Sequence, residues 1–341
     1  MVDRPTIADL AKKAGVSVAT VDRVLNRRLP VRGDTAQRVV AAAEDIGFHA
    51  VSLLKHRLTE IPKRKFAFLL QKRDAFYLHL GQELAMVTKS AREIEGRPHV
   101  EYIDELAPHV VAKRIRELAP KFDALAAVAM AHPVTNEAFE YVRNLGKPIF
   151  TLQSSLNSTS VTGHCGIDGR KCGRIAGWTI SRLAKKTGKI CILVGSHSYL
   201  NQELSEISFR TYMREHAPGF QLLEPIINLD DEQIAYEAVS NVLKTTPDLV
   251  GIYETGGGMA GLIRALREHK GKARPITVCN ELTDATRSGI IDGTVDVALV
   301  TPIAAMARRL LEQMIKASLS AEEQQFPPVY LAPDILMSEN V

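Results

Sequence analysis

The sequence predicts a protein of two unlike parts: a small all-α unit of three short helices, then an α/β domain folded as two doubly wound lobes. Three observations carry this. Capped amphipathic helices fill the first fifty residues. From residue 64 onward short apolar runs alternate with amphipathic stretches. The excess positive charge is confined to the first part: residues 1–64 hold 12 Lys/Arg against 7 Asp/Glu, while the other 277 residues hold 31 and 32. A basic N-terminal segment of this kind suits a phosphate backbone, although many solvated surfaces carry as much charge.

The chain has 341 residues, room for two or three domains, with 45% hydrophobic and 24% charged residues, as in globular proteins. No run approaches the roughly 18 apolar residues of a membrane span, and the opening Met-Val-Asp-Arg-Pro-Thr has no apolar run behind its charges. The expectation is a cytoplasmic protein with no membrane partner. Cys165, Cys172, Cys191 and Cys279 lack metal-type spacing, and the ten histidines include no His-x-x-x-His pair, so neither a metal nor a cofactor is expected.

Thr6 with Asp9 reads as a capping box, opening a helix whose apolar face is Ile7, Leu10, Ala11 and Ala14. Gly15 breaks it and Val16 tucks inward. Ser17 caps a second helix, Val18 to Asn26, with Val21, Val24 and Leu25 facing the first. Val18, Ala19, Asp22, Arg23 and Asn26 share the opposite face. A third helix is expected from Asp34, capped with Gln37, to Gly47. Two short helices about a glycine turn make a helix-turn-helix, whose second helix reads the DNA major groove. The plainer alternative is a generic three-helix unit.

The run from Thr6 through Ala-Gly-Val-Ser-Val-Ala-Thr-Val to Asn26 closely resembles the headpiece of the lactose-repressor (LacI/GalR) family, and Arg38 to Phe48 resembles its third helix. The resemblance covers about fifty residues and implies that Val18 and Ala19 read the operator. It also implies that Arg23 reaches a base edge and that Thr6, Ser17, Thr20 and Asn26 hold phosphates. Valine and alanine suit thymine methyls, and arginine pairs with guanine. Asp22 stands where the family commonly has serine; it is expected either to accept from a cytosine amine or to orient Arg23. In the family a hinge helix follows and wedges a leucine into the minor groove. Here counting from Phe48 puts Arg57 at that position, with Leu54 and Leu58 as the candidate wedges.

Beyond Pro62, strands are expected at Phe66–Leu70, Val100–Ile103, Ala124–Ala131, Pro148–Gln153, Ile190–Val194, Leu249–Tyr253, Ile276–Cys279 and Val295–Val300. Helical patterns fall between most of them, including Gly81–Ile94, Val110–Leu118 and Asp231–Leu243. This alternation implies parallel sheets covered on both faces, and eight or more strands suit two lobes better than one. The expected domains are 1–50, a hinge at 51–63, and a ligand-sensing and dimerisation domain at 64–341.

Ligands bind beyond the C-terminal strand ends of such sheets. Those ends supply Gln71, Arg73, Asp74, Phe76 and Tyr77, then His132, then Gln153 and Ser154. The second half supplies Tyr199, Asn201 and Gln202, then Thr255, Asn280 and Glu281, then Thr301. Planar polar groups with a few rings suit a polyhydroxylated ligand, and Lys72 with Arg73 leaves room for an acidic sugar or a phosphate. More loosely, Gly166-Ile-Asp168, the run from Thr255 to Leu266, and Asn280-Glu281 are similar to family segments. The resemblance implies the two-lobed fold of periplasmic sugar-binding proteins, with Glu281 on sugar hydroxyls. Gly256–Gly258 lacks the Lys-Ser/Thr of a nucleotide-binding loop. Arg210 is the nearest counterpart of a family arginine, or a structural residue. Trp178 is expected in the core.

Taken together, these features predict a ligand-responsive transcriptional repressor of a carbohydrate or polyol operon. Its partners would be operator DNA, a sugar, polyol or sugar-acid effector, and a second copy of the chain. An enzyme of sugar metabolism carrying a regulatory headpiece is the alternative, and a transport protein a third. No leucine heptads occur near the C-terminus to build a tetramer, so a homodimer is expected.

Overall fold

The computed structural model describes residues 5–26, 31, 33–51, 54, 61–71, 75–104, 107–156, 158–271 and 274–341. The chain divides into two units, Met1–Pro62 and Lys63–Val341.

In the first unit, α1 (Ile7–Ala14) opens on the expected capping box. Thr6 Oγ1 accepts from Asp9 N at 3.3 Å, and Thr6 N donates to Asp9 Oδ2 at 2.9 Å. Gly15 closes the helix at φ +65°, a conformation that costs glycine little. Ser17 Oγ accepts from Thr20 N at 3.1 Å at the start of α2 (Val18–Asn26). The third helix, α3 (Gly33–Asp45), starts one residue before Asp34, and Asp34 and Gln37 form no reciprocal cap among the described residues. Leu10, Val21, Val39 and Ala43, all fully buried, centre the core.

The second unit contains two sheets. The first is built from β1 (Lys63–Gln71), β2 (Glu95–Ile103), β3 (Ala124–Ala127), β4 (Ile149–Leu152), β5 (Gly163–Ile167) and β12 (Val329–Leu331). Its order is β12-β5-β4-β3-β1-β2, all parallel. The second holds β6 (Lys189–Val194), β7 (Gln221–Leu222), β8 (Ile226–Ile227), β9 (Leu249–Glu254), β10 (Ile276–Asn280), β11 (Val297–Val300) and β13 (Asp334–Leu336). Its order is β13-β11-β10-β9-β6-β7, with β8 also on β6 and only β13 antiparallel. The chain passes between lobes three times, after β5, after β11 and after β12.

Alternation along β1 sends Phe66, Phe68 and Leu70 to one face and Ala67 and Leu69 to the other. The first set packs on α4 (Ala75–Ser90) and α12 (Ile303–Leu319), the second on α5 (Pro108–Leu118) and α6 (Pro133–Asn144). In the other lobe α7 (Gly169–Leu183) and α8 (Leu200–His216) cover one face. The opposite face takes α9 (Glu232–Thr245), α10 (Met259–Glu268) and α11 (Asp284–Ile291).

All eight expected strands are present, though β3 stops at Ala127 rather than Ala131. Periodicity missed β7, β8 and β12, which have only two or three residues, and β5, whose Gly-His-Cys-Gly-Ile run is broken by glycine and histidine. The helix expected from Gly81 begins at Ala75 and runs through Gly81 to Ser90; Gly81 packs against Tyr102, where a Cβ would not fit. Trp178 is 53% exposed on the outer face of α7, not in the core, because Cys172, Ala176 and Ile180 form the inward stripe. All four cysteines are free and buried. No helix among the described residues is long and apolar enough to cross a membrane.

Candidate functional site

Two surfaces carry the residues singled out in the sequence, and each lies within its own unit. On the headpiece, packing of Val21, Val24 and Leu25 turns the other face of α2 outward. Val18 is 51% exposed, and Ala19, Arg23 and Asn26 are exposed beside it, with Thr20 and Asp22 partly so. Ser17 Oγ and Thr20 Oγ1 sit 2.9 Å apart at the helix start. Asp22 Oδ1 accepts from Asn26 Nδ2 at 2.6 Å, an intrahelical pair that ties together two residues expected to act separately.

Leu54 is corrected. It is fully buried with Phe48 in the headpiece core, on a helical turn in which Leu54 N donates to Ala50 O at 3.0 Å. A side chain in that position is not free to wedge into DNA. Leu58, the other candidate, lies outside the described residues, as does Arg57.

In the second unit, the C-terminal ends of both sheets face a cavity of about 450 Å³, within the usual range for small-ligand sites. Gln71, Phe76, Tyr77, Gln153 and Ser154 line it from one lobe, and Tyr199, Asn201, Gln202, Thr255, Asn280 and Glu281 from the other. Arg73, Asp74 and Lys72 lie outside the described residues. His132 is not brought in: it is exposed and caps α6, its Nδ1 accepting from Val134 N at 3.2 Å. Thr301 is buried behind the lining, where it donates to the Glu281 carboxylate and accepts from Gln153 Nε2 at 3.2 Å. Arg210 is structural; it donates to Glu206 at 2.7 Å and to Leu223 O at 3.2 Å. Ala131 N donates to Ser198 O at 3.2 Å, a direct bond between the lobes.

The sequence reading missed Asp230, Glu232, Gly256–258, Thr283 and Asp284, all in the lining. Thr283 is a legible N-cap, its Oγ1 accepting from Thr286 N at 3.1 Å, and could have been found. Asp230 could not, because it follows β8, a strand of two residues. Asp230 Oδ1 accepts from Gly257 N at 2.6 Å and Gln202 Nε2 at 3.3 Å. Behind it, fully buried Glu254 accepts from Asn228 Nδ2 at 3.1 Å and Gly256 N at 3.3 Å. Burial pushes both carboxyls up, Glu254 well above the usual carboxylate range. Burial likewise raises the Tyr199 hydroxyl, which stays a neutral donor. The site thus offers amides, hydroxyls and carboxyls that suit hydroxyl groups, with Phe76 and Tyr77 at one wall.

Residues 6–50 match the family described as bacterial regulatory proteins, lacI family, and residues 112–322 match the periplasmic binding protein domain. The chain is 27% identical over 145 residues to the HTH-type transcriptional regulator GalS of Salmonella typhimurium, covering 38% of this chain and 43% of that protein. It is 51% identical over 45 residues to the HTH-type transcriptional regulator GalR of Streptococcus thermophilus, covering 13% and 14%. These matches span less than half the length of either relative. Among solved structures, an ABC transporter solute binding protein from Burkholderia graminis in complex with D-arabinose aligns with a TM-score of 0.75 at 14% identity, covering 83% of this chain and 98% of that one. GanP, a glucose-galactose binding protein from Geobacillus stearothermophilus, aligns at 0.72 and 14% identity, covering 82% and 99%. At such identities the likeness is one of fold: the larger unit has the architecture of sugar-binding proteins.

Proposed function

The chain belongs to the lacI family of bacterial regulatory proteins, with a periplasmic-binding-protein domain as its larger unit, and from that premise we propose that it is an effector-responsive transcriptional repressor. The observation that carries this reading is the outward face of α2. A folded, capped three-helix unit presents Val18, Ala19 and Arg23 to solvent, unencumbered by its own core. Such a face fits a major groove, with apolar contact to thymine methyls and arginine on guanine.

One headpiece offers few base contacts, so the protein acts as a homodimer on a two-fold operator. The effector is a sugar or polyol held between the lobes, and the regulated genes serve carbohydrate or polyol use in the cytoplasm. An effector changes operator affinity only by preferring one lobe arrangement, a differential typically about 1–3 kcal/mol.

A gel shift on DNA flanking the gene, across a salt series and a panel of sugars and polyols, tests this. Specific binding that weakens as salt rises, and shifts with one panel compound, is the expected result. Equal affinity for flanking and random DNA would overturn the reading.

A further inference from the structure

The turn between β9 and α10 has the makings of an anion site. Three glycines lead into a helix N-terminus, where free backbone N–H groups and the helix dipole attract negative charge. Here the two N–H groups of the turn just before the helix are engaged by the protein's own carboxyls: Gly257 N by Asp230 and Gly256 N by Glu254. The local sequence is shaped around this arrangement. A Cβ at residue 256 would lie 2.5 Å from Asp230 Oδ1, and one at residue 195 would lie 1.9 Å from it, so both positions need glycine. Asp230 and Leu229 hold consecutive left-handed conformations, φ +55° and +56°, that residues other than glycine seldom adopt.

Neither carboxyl is paired with a lysine or arginine among the described residues. Asp230 lines the cavity, and its Oδ2 takes no hydrogen bond among those residues. Two further groups await a partner. Ser154 Oγ from one lobe and Thr255 Oγ1 from the other are 3% and 4% exposed, line the same cavity, and make no hydrogen bond.

We propose that the cleft takes a polyhydroxylated ligand without negative charge, which donates to Asp230 and joins Ser154 to Thr255 across the lobes. Asp230 is then the residue that rejects phosphorylated and acidic counterparts. This rests on the reading of the cleft as the effector site. An anion entering here meets two turn N–H groups already occupied and the Asp230 carboxyl beside them. In a cavity this sheltered, repulsion is screened far less than at the surface. Lys72 and Arg73, which favour an acidic ligand in the sequence, lie outside the described residues, so the experiment sets them against Asp230.

The full chain is titrated calorimetrically at pH 7 with D-glucose, D-galactose and D-glucitol, and with the 6-phosphate and terminal acid of each. The expected result is that an uncharged compound binds at least about tenfold tighter than its anionic partners, which corresponds to about 1.4 kcal/mol. Asp230→Asn, which keeps an acceptor for Gly257 N while removing the charge, should narrow that ratio. Asp230→Ser, smaller and uncharged, should narrow it as well and covers the case in which Asp230→Asn does not fold. Tighter anion binding by the wild type would overturn the inference while leaving a sugar effector in place. An unchanged ratio in both variants would overturn the role of Asp230. Failure of every compound would overturn the reading of the cleft itself.

Discussion

Gln153 and Glu281 hold equivalent places in the two lobes and converge on one side chain, Thr301. Each follows the strand flanked by the sheet's centre and its crossover strand, β4 for Gln153 and β10 for Glu281, and each has a left-handed backbone, φ +61° and +65°. Gln153 Nε2 donates to Thr301 Oγ1 at 3.2 Å, and Thr301 N donates to Glu281 Oε2 at 3.1 Å. Since Thr301 stands where the chain passes back to the first lobe, this relay ties both strand ends to a crossover. Strained conformations of this kind cost of order 1–3 kcal/mol each and cluster at functional sites.

Glu281→Ala should therefore abolish the effector response while the variant still binds operator in the absence of effector. Operator titrations with and without the active compound measure this. An unchanged response midpoint would remove Glu281 from the effector site.

Arg23→Ala should cost roughly 1–3 kcal/mol per half-site and relax preference at one base pair. Competition between a selected operator and its single-base variants gives the answer. If the variant keeps both affinity and preference, α2 does not read bases through Arg23.

Leu54→Ala should destabilise the headpiece by about 2–5 kcal/mol, as expected for a fully buried leucine. Chemical denaturation of the variant, followed by helix signal, measures the loss. A stability equal to wild type would return Leu54 to the pool of surface side chains available to DNA.

Glu254 should make the larger unit less stable as pH rises. Its folded carboxyl holds its proton to higher pH than the unfolded one. Between the two pKa values the folded state therefore binds more protons, and stability falls with rising pH. The effect begins just above the ordinary carboxylate range, near 4.5, and continues to the raised folded value. Subtracting the Glu254→Gln profile from wild type isolates it, and that variant should be the more stable near neutral pH. A flat difference across this range would show that Glu254 is ionised in the fold.

The sequence by itself determined the three headpiece helices, their Thr6 and Ser17 caps and the outward face of α2, because these depend on neighbours three or four residues away. It also determined the parallel strands and most of the cavity wall from Gln71 to Glu281, since a buried strand announces itself as an apolar run and its end follows by counting. Tertiary structure decided what distance along the chain conceals. It buried Leu54 against Phe48, exposed Trp178, and set His132 outside the cavity. It brought Asp230 against Gly195, Gly256 and Gly257, and Thr301 between Gln153 and Glu281. The contacts of Asp230 and Thr301 join residues twenty or more positions apart, and they depend on the mutual placement of strand ends and loops, which no local period encodes.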